Sequence, residues 1–267
     1  MLVSEVMLQQ TQVGRVGDAW ARFLERFPTI EVLAAADLGD VLRAWAGLGY
    51  NRRAVSLHRL ARVVVAESGG RLPRSVEALE RLPGIGPYTA RAVAAIAFGD
   101  PAAPVDTNIG RVLGRLTGMA QPFPGSEVQA LADGLVPAGR PGEWTHAMMD
   151  LGATVCRSSK PSCEVCPLNA FCAWAATPSR RVARETRQAP VRFEASSRWL
   201  RGRIVERLRD AADRSWVPFD QPIGAHGEDA IDTALGALER DGLLERHPDR
   251  ARVARLPMSG AMPGALG

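Results

Sequence analysis

Lysine is nearly absent from this 267-residue sequence: arginine supplies 32 of its 33 basic residues, and Lys160 is the only lysine. An enzyme of this composition has few amines with which to form a Schiff base. Aromatic residues make up 6% of the chain and β-branched runs are few, which disfavours an all-β fold. No apolar run approaches the ~20 residues of a membrane span. The residues from Met1 to Glu5 contain no basic region followed by an apolar one, so no signal peptide is expected. The 46% of apolar residues nevertheless suffices for a packed core.

Cysteine is confined to one short segment. Its four residues are separated by six, two and five intervening residues: Cys156, Cys163, Cys166 and Cys172. A secreted disulfide framework spreads its cysteines to join distant segments, so this grouping predicts a metal centre in a reducing compartment. Zinc ribbons usually carry two Cys-x2-Cys knuckles, whereas this sequence has one. The spacing therefore favours one [4Fe–4S] cluster over a structural zinc site or four unligated thiols.

Apolar residues at helical spacing predict a mainly α-helical chain up to about residue 176. The clearest repeats lie in 13–27, 41–45 and 54–65. Another helix is predicted from Pro87 to about Phe98, because proline is tolerated at the first helical position. Further helices are predicted over 107–117, 126–136 and 143–155.

The last third of the sequence changes character. Residues 178–203 carry eight basic and two acidic side chains, and their prolines and serines predict a basic linker over 177–197. Two further helical stripes follow, and then 243–245 and 252–256 are suited to pair as a hairpin. This order predicts a small winged-helix-like α+β module over 198–256, with a disordered tail over 257–267.

The segment Leu82-Pro83-Gly84-Ile85-Gly86-Pro87 predicts a tight turn that leads directly into a helix. Glycine at 84 and 86 permits positive φ and the close approach of another backbone. A helix N-terminus presents free N–H groups to an anion. Turn and helix together predict a sequence-independent grip on a phosphate, although a lone Gly-x-Gly turn is not specific by itself.

Asp106 lies 18 residues after Tyr88, between an apolar segment and the helix predicted from Thr107. An aspartate at such a position is most often the N-cap of the helix. The other interpretation is a catalytic carboxylate. The residues alone leave both open.

Three segments in this order, LPGIGPYTARAVAAIAFG, VDTNIGRVLGR and the cysteine loop, resemble the helix–hairpin–helix DNA glycosylases with an iron–sulfur loop. The segments SEVMLQQTQV, GLGY (47–50) and AMMDLGATVC (147–156) resemble more narrowly the adenine DNA glycosylases of the MutY type. The resemblance covers about residues 2–175. It implies the helix–hairpin–helix glycosylase fold, with a six-helix barrel domain over 1–115 and an iron–sulfur cluster domain over 116–176.

The resemblance also implies roles for individual residues. Asp106 matches the catalytic aspartate, Glu5 the catalytic glutamate and Asn108 an active-site support. Tyr88 stands where relatives with lyase activity carry their Schiff-base lysine. DNA contacts are expected from the hairpin, at Gly84, Gly86 and Thr89. Side chains that wedge into the duplex beside the opposing base are expected at Gln10, Leu48 and Tyr50. For Leu48 and Tyr50, packing at a helix end is the alternative interpretation.

The implied reaction is the release of adenine mispaired with 8-oxoguanine or guanine, without strand cleavage because Tyr88 replaces the lysine. The target base must first be rotated out of the duplex. Glu5, with a pKa raised by an apolar pocket, is expected to protonate the base, and Asp106 to stabilise the cationic sugar. The expected partner is double-stranded DNA containing a mismatch, bound by a monomeric, cytoplasmic protein without membrane contact.

Two departures from the family pattern matter. The sequence starts four residues before Glu5, where relatives have an upstream segment, so a truncated N-terminus or a late start codon is expected. The C-terminal module is smaller than the reader domain of many relatives, and 204–267 carry 11 acidic against eight basic side chains. Weaker discrimination for 8-oxoguanine over guanine is therefore expected. The alternative functions are a mismatch thymine or uracil glycosylase and a non-catalytic DNA-binding module, which would need neither acid.

Overall fold

The computed structural model describes residues 1–119, 123, 125–177 and 192–258. These residues are mainly helical, as predicted. The α-helices are α1 (Leu2–Leu8), α2 (Val13–Arg26), α3 (Ile30–Ala35), α4 (Leu38–Ala44), α5 (Arg52–Ser68), α6 (Val76–Glu80), α7 (Pro87–Phe98), α8 (Thr107–Thr117), α9 (Gly125–Leu135), α10 (Pro141–Asp150), α11 (Ser197–Asp210) and α12 (Glu228–Arg240). The strands are β1 (Val217–Pro218), β2 (Glu245–Arg246) and β3 (Val253–Arg255).

Contacts divide the described residues into two compact units. The first consists of Met1–Glu5 and 72–177, and the second of 6–71 together with 192–258. This grouping follows contacts in space, whereas the predicted domains were divided along the chain. The predicted boundaries at 115, 176, 197 and 256 therefore remain predictions.

The first unit packs α8, α9 and α10 around one apolar cluster. Its buried members come from all three helices and from the segment before α8: Ala103, Ile109, Val112, Leu113, Val128, Ala132 and Met148. Helix α10 was predicted to run on to residue 155. It instead ends at Asp150, and a π-helical turn over Leu151–Val155 carries the chain to Cys156.

The second unit contains α2–α5 and the C-terminal module. Phe23 and Trp45 are fully buried and meet edge to face, with ring centroids 5.9 Å apart. The module contributes its own buried apolar stripe, which includes Leu200, Ile204 and Leu235. Its anchoring contacts include an ion pair of 2.9 Å between Arg43 and Asp213.

The C-terminal module has the predicted winged-helix-like arrangement of helices followed by a hairpin. Strands β2 and β3 pair antiparallel, with Glu245 opposite Arg255, which confirms the predicted hairpin. Strand β1 was not predicted, because two residues are too short for an alternating pattern to show. It pairs antiparallel with β3 and completes a sheet of order β1-β3-β2.

The two predicted irregular segments fall largely outside the described residues. Of the basic linker (177–197), residues 178–191 are not described, and of the tail (257–267), 259–267 are not. Pro257 differs from the prediction for the tail, since its carbonyl accepts a hydrogen bond of 2.9 Å from Gly39 N–H. Among the described residues, no helix is both long and apolar enough to cross a membrane.

Candidate active site

The glycine turn leads into α7 as the sequence predicts. The N–H of Ile85 donates to the carbonyl of Leu82 at 3.1 Å and closes the turn. Gly84 adopts φ +78°, which a residue with a side chain reaches only with strain. Gly86 is extended, with φ −94°, and an added Cβ would meet no atom within 4 Å. Of these two glycines, only Gly84 therefore requires positive φ. Gly86 leaves open space beside the N-terminus of α7.

Asp106 is the N-cap of α8. Its Oδ1 accepts hydrogen bonds from the N–H groups of Asn108 and Ile109, at 2.9 and 2.8 Å. Its Oδ2 accepts one from Nδ2 of Asn108 at 3.0 Å. Asp106 therefore does cap α8, as the first interpretation predicted. It does not exclude catalysis, because three fixed donors also orient a negatively charged carboxylate.

Tyr88 lies on the first turn of α7 and close to both candidate acids. Burial raises the pKa of its phenol well above the ordinary value, and the negative charges of Glu5 and Asp106 raise it further. The phenol therefore stays protonated and is a permanent hydrogen-bond donor. In this structure its hydroxyl donates a weak hydrogen bond to Sδ of Met149 at 3.9 Å.

Glu5, on α1, sits in the environment expected for a general acid. Burial raises the pKa of its carboxyl above the ordinary value for a glutamate. The positive charges of His146 and of the chain's amino terminus offset part of this rise. Glu5 and Asp106 are both half-buried and both lie close to Tyr88. They differ in that burial raises the pKa of Glu5, whereas three hydrogen-bond donors fix the carboxylate of Asp106.

A chain of hydrogen bonds joins Asp106 to the cysteine loop. Oδ1 of Asn108 accepts from Nη2 of Arg111 at 2.8 Å. The same guanidinium donates to the carbonyls of Gly152 and Cys156, at 2.7 and 2.8 Å. Gly152 is needed here, because a Cβ would lie 2.7 Å from Cβ of Asn108. The backbone that leads into the first cysteine therefore helps to hold Asn108 against Asp106.

The cysteine loop folds around a pocket of about 310 Å³, a volume that includes its open mouth. All four cysteines line it, together with Arg115, Trp174 and five other residues that include Pro161 and Asn169. The four thiols are free and half-buried. In the described part of the chain, no three or more His, Cys, Asp or Glu side chains are grouped as a site for a single metal ion.

Arg115 supplies a positive charge at the wall of this pocket. It is 4% exposed, and Nη1 donates to Sγ of Cys156 at 3.4 Å. Its guanidinium also lies 4.9 Å from the ring centroid of Trp174. Its Nε is buried and has no hydrogen-bond partner among the described residues. Four thiols that line one pocket, beside a guanidinium with one N–H left without an acceptor, fit a group that carries negatively charged acceptor atoms, as an iron–sulfur cluster does.

The predicted wedge residues lie in the second unit. Gln10 and Tyr50 both have positive φ, at +57° and +44°, which is uncommon outside glycine. The side chain of Tyr50 is 40% exposed, whereas that of Leu48 is only 5% exposed. The burial of Leu48 favours the alternative interpretation, packing at a helix end. Thr89, in the first unit, is 3% exposed. The DNA contacts of these residues, like those of the hairpin, remain predictions.

Arg53 joins the two positive-φ turns of the second unit. One nitrogen, Nη1, donates to the carbonyls of Val6, Met7 and Gln9 at 2.6–2.8 Å. The other, Nη2, donates to the carbonyls of Leu48 and Gly49 at 3.2 and 3.1 Å. A single guanidinium therefore satisfies the end of α1 and fixes the GLGY turn.

Sequence reasoning missed four residues that organise these sites: Arg53, Arg111, Arg115 and His146. Three of them bind backbone carbonyls or a cysteine sulfur far along the chain, and arginine is too common in this sequence to single them out. His146 was detectable in principle, since it is one of only four histidines and immediately precedes the AMMDLGATVC segment.

The fold and the hairpin site define a class of base-excision DNA repair protein. Residues 3–137 match the family described as HhH-GPD superfamily base excision DNA repair protein. A solved thermostable thymine-DNA glycosylase superposes with a TM-score of 0.62 at 34% identity, covering 66% of this chain and 82% of that one.

Sequence relatives narrow the class. The adenine DNA glycosylase of Mycolicibacterium smegmatis is 40% identical over 253 residues, which cover 93% of this chain and 85% of the relative. The human adenine DNA glycosylase is 46% identical over 175 residues, 64% of this chain and 32% of that protein. The chain belongs to the adenine DNA glycosylase family of the helix–hairpin–helix superfamily, which confirms the resemblance read from the motifs.

Proposed function

We propose that this enzyme hydrolyses the N-glycosidic bond of adenine mispaired with 8-oxoguanine or guanine, acts as a monomer and leaves the DNA strand uncut. The observation that carries the proposal is the pair of carboxyl groups beside Tyr88. Burial favours the protonated form of Glu5, while three hydrogen-bond donors surround Asp106. Two carboxyl groups in contrasting surroundings are the arrangement with which glycosidases divide acid and stabilising roles.

The reaction begins with a flipped adenine, since no side chain reaches the glycosidic bond inside a stacked duplex. Glu5 transfers its proton to the seven-position nitrogen of adenine, and the bond between sugar and base breaks with its electron pair going to the base. The sugar is left as an oxocarbenium-like cation. Asp106 stabilises this cation or captures it covalently. Water then adds its hydroxyl group to the sugar carbon, which releases Asp106 where a covalent bond had formed, and the remaining proton of the water returns to the carboxylate of Glu5.

Asn108 and Tyr88 support these two acids. Asn108 fixes one oxygen of Asp106 through its Nδ2, so the carboxylate keeps its orientation when charge develops on the sugar. The neutral phenol of Tyr88 is a donor available to the sugar or to an acid. Because a phenol forms no Schiff base, this position supports hydrolysis rather than strand cleavage.

The hairpin serves as the DNA grip in this proposal. The first N–H groups of a helix have no intrahelical acceptor and attract phosphate. At the N-terminus of α7 the extended Gly86 leaves the space that a phosphate group needs. Such contacts carry no sequence information, which suits an enzyme that must act wherever a mispair arises.

A panel of duplexes tests this function. Each duplex carries adenine opposite 8-oxoguanine, guanine or cytosine, or thymine or uracil opposite guanine, and single-turnover base release is measured. We expect release of adenine opposite 8-oxoguanine and guanine to be fastest, with strand breaks appearing only after alkali. The thymine-DNA glycosylase similarity makes thymine release the second candidate, and faster release of thymine or uracil would overturn the adenine assignment.

The same panel tests the absence of lyase activity. Borohydride should trap little covalent protein–DNA adduct, because Tyr88 offers no amine and Lys160 belongs to the cysteine loop. The amino group of Met1 is the other amine near Glu5. Strong trapping that survives chemical blocking of that group would show a lyase.

We further propose that Cys156, Cys163, Cys166 and Cys172 hold one [4Fe–4S] cluster. The support is the pocket that all four line and the unsatisfied Nε of Arg115 at its wall. When bound, a cluster ties four points of the loop together and thereby stabilises the backbone to which Arg111 is anchored.

Protein purified without oxygen should be brown and contain about four irons per chain. Cys163→Ser should lower the iron content and bleach the visible absorbance, because one thiolate ligand is lost. Ser159→Ala, at an exposed position of the same loop, is the matched control and should keep both. One zinc per chain in a colourless protein would contradict the cluster.

A further inference from the structure

Tyr50 is an exposed aromatic ring at the end of a glycine turn, and it is held against cations. The guanidinium carbon of Arg198 lies 4.3 Å from the ring centroid, well inside the ~6 Å range of a cation–π contact. Arg53 approaches the same ring at 5.5 Å. The ring is 40% exposed and its backbone has φ +44°. Surrounding contacts must hold such a strained residue in place.

The position of Arg198 is itself unusual. Arg198 lies in the first turn of α11, and that turn contains no acidic residue. The positive end of a helix disfavours a cation there, so the negative face of the Tyr50 ring compensates an otherwise unfavourable placement. The stack is thus a specific contact between the C-terminal module and the GLGY turn.

A second contact fixes the same turn to the same helix. Nη2 of Arg209, near the end of α11, donates to Oδ1 of Asn51 at 2.8 Å. Burial lowers the pKa of Arg209 to about 10. Because its Nε is buried without a hydrogen-bond partner among the described residues, the bond to Asn51 helps to offset the cost of burying this charge. Helix α11 therefore contacts the turn at two successive residues, Tyr50 and Asn51.

We propose that Arg198 is a positioning residue that holds the ring of Tyr50 ready to stack in the duplex, so that the C-terminal module takes part in DNA binding through Tyr50 and not through phosphate contacts of its own. This inference rests on the proposed function, which supplies the mismatched duplex. Stacking on an aromatic ring tolerates any base, and a guanidinium on the ring fixes its orientation at little entropic cost.

A double-mutant cycle tests the inference. Binding is measured to a duplex with 2′-fluoro-2′-deoxyadenosine opposite 8-oxoguanine, in which the electron-withdrawing fluorine disfavours the cationic sugar and blocks cleavage. Arg198→Ala should weaken binding about two- to tenfold. In a Tyr50→Ala background the same change should have less than about a 1.5-fold effect, because the ring it positions is gone. In a Tyr50→Phe background, which keeps the ring, the effect should return.

Two controls separate positioning from simple charge. The exposed Arg207 lies on the same helix, and Arg207→Ala should change binding less than about twofold. Arg198→Ala should leave the salt dependence of binding unaltered, whereas loss of a phosphate contact lowers its slope by about one. An effect of Arg198→Ala that persists without the Tyr50 ring, or that lowers the salt slope, would overturn the inference.

The outcome that would refute the proposed function differs from the outcome that would refute this inference. Wild-type protein that binds the fluorinated duplex with full coupling but releases no adenine from the natural one would refute the activity and leave the inference standing. Adenine release with additive effects of Arg198 and Tyr50 would refute the inference alone. The melting temperature of Arg198→Ala should stay near wild type, since Arg43–Asp213 and Arg209–Asn51 still anchor the module.

Discussion

Asp106→Asn should slow single-turnover adenine release by about 10²- to 10³-fold, the range typical of losing a preorganised stabilising group. The substitution keeps the shape of the side chain and removes the charge that faces the developing cation. Binding of the mismatched duplex should change little, because the hairpin grip does not involve this carboxylate. Release is measured with enzyme in excess over a duplex carrying adenine opposite 8-oxoguanine.

The capping role of Asp106 requires a control. In Asp106→Asn an amide nitrogen can face Nδ2 of Asn108, where the carboxylate now accepts a bond of 3.0 Å. Asp106→Ser avoids this conflict, because serine is a good N-cap. We expect the serine variant to fold as stably as wild type to within about 1–2 kcal/mol and to be as inactive as the asparagine variant.

A second control measures the cost of losing a cap alone. Ser75 caps α6 by accepting from the N–H of Ala78 at 3.3 Å. Ser75→Ala should lower the free energy of unfolding by about 1 kcal/mol and leave adenine release unaltered. If Asp106→Ser released adenine at nearly the wild-type rate, Asp106 would be a helix cap and nothing more.

Long periodic segments could be predicted from the sequence because their signals are local. Helix α8 has the predicted bounds, 107 and 117, since Asp106 marks its start and Gly118 its end. Helix α5 likewise stops at the predicted glycine pair after Ser68. The short α3 and α6 were not predicted, because five or six residues are too few to show a helical repeat.

The site could be predicted only where a motif carries it. The hairpin, the cysteines and the two acids stand in recognisable segments. The arginines that organise the site do not, because their partners are carbonyls that every residue has. Arg111 reaches the carbonyl of Cys156 and Arg53 that of Val6, 45 and 47 residues away along the chain. Neither pairing has a signature at either end.

Glu5→Gln should reduce the rate of adenine release by about 10²- to 10⁴-fold, the usual contribution of a general acid. Glutamine occupies the same space and has no proton to give. The protonated form of Glu5 is the active one, and burial raises its pKa. In wild type the rate should therefore be high below this raised pKa and fall as the pH rises through it, and Glu5→Gln should lack that fall.

A change at His146 tests the assignment of Glu5 as the general acid, because it should shift the pH profile in a known direction. Its positive charge lowers the pKa of Glu5, so His146→Asn should move the alkaline limb of the rate profile to higher pH. Glu143 is the matched control, since it is an exposed acid on the same helix, α10, paired with Arg140 at 3.0 Å. Glu143→Gln should leave rate and limb in place. A limb that stays fixed in His146→Asn and persists in Glu5→Gln would assign the acid to another group, because a titration that Glu5 causes must move with its neighbours and vanish with its carboxyl.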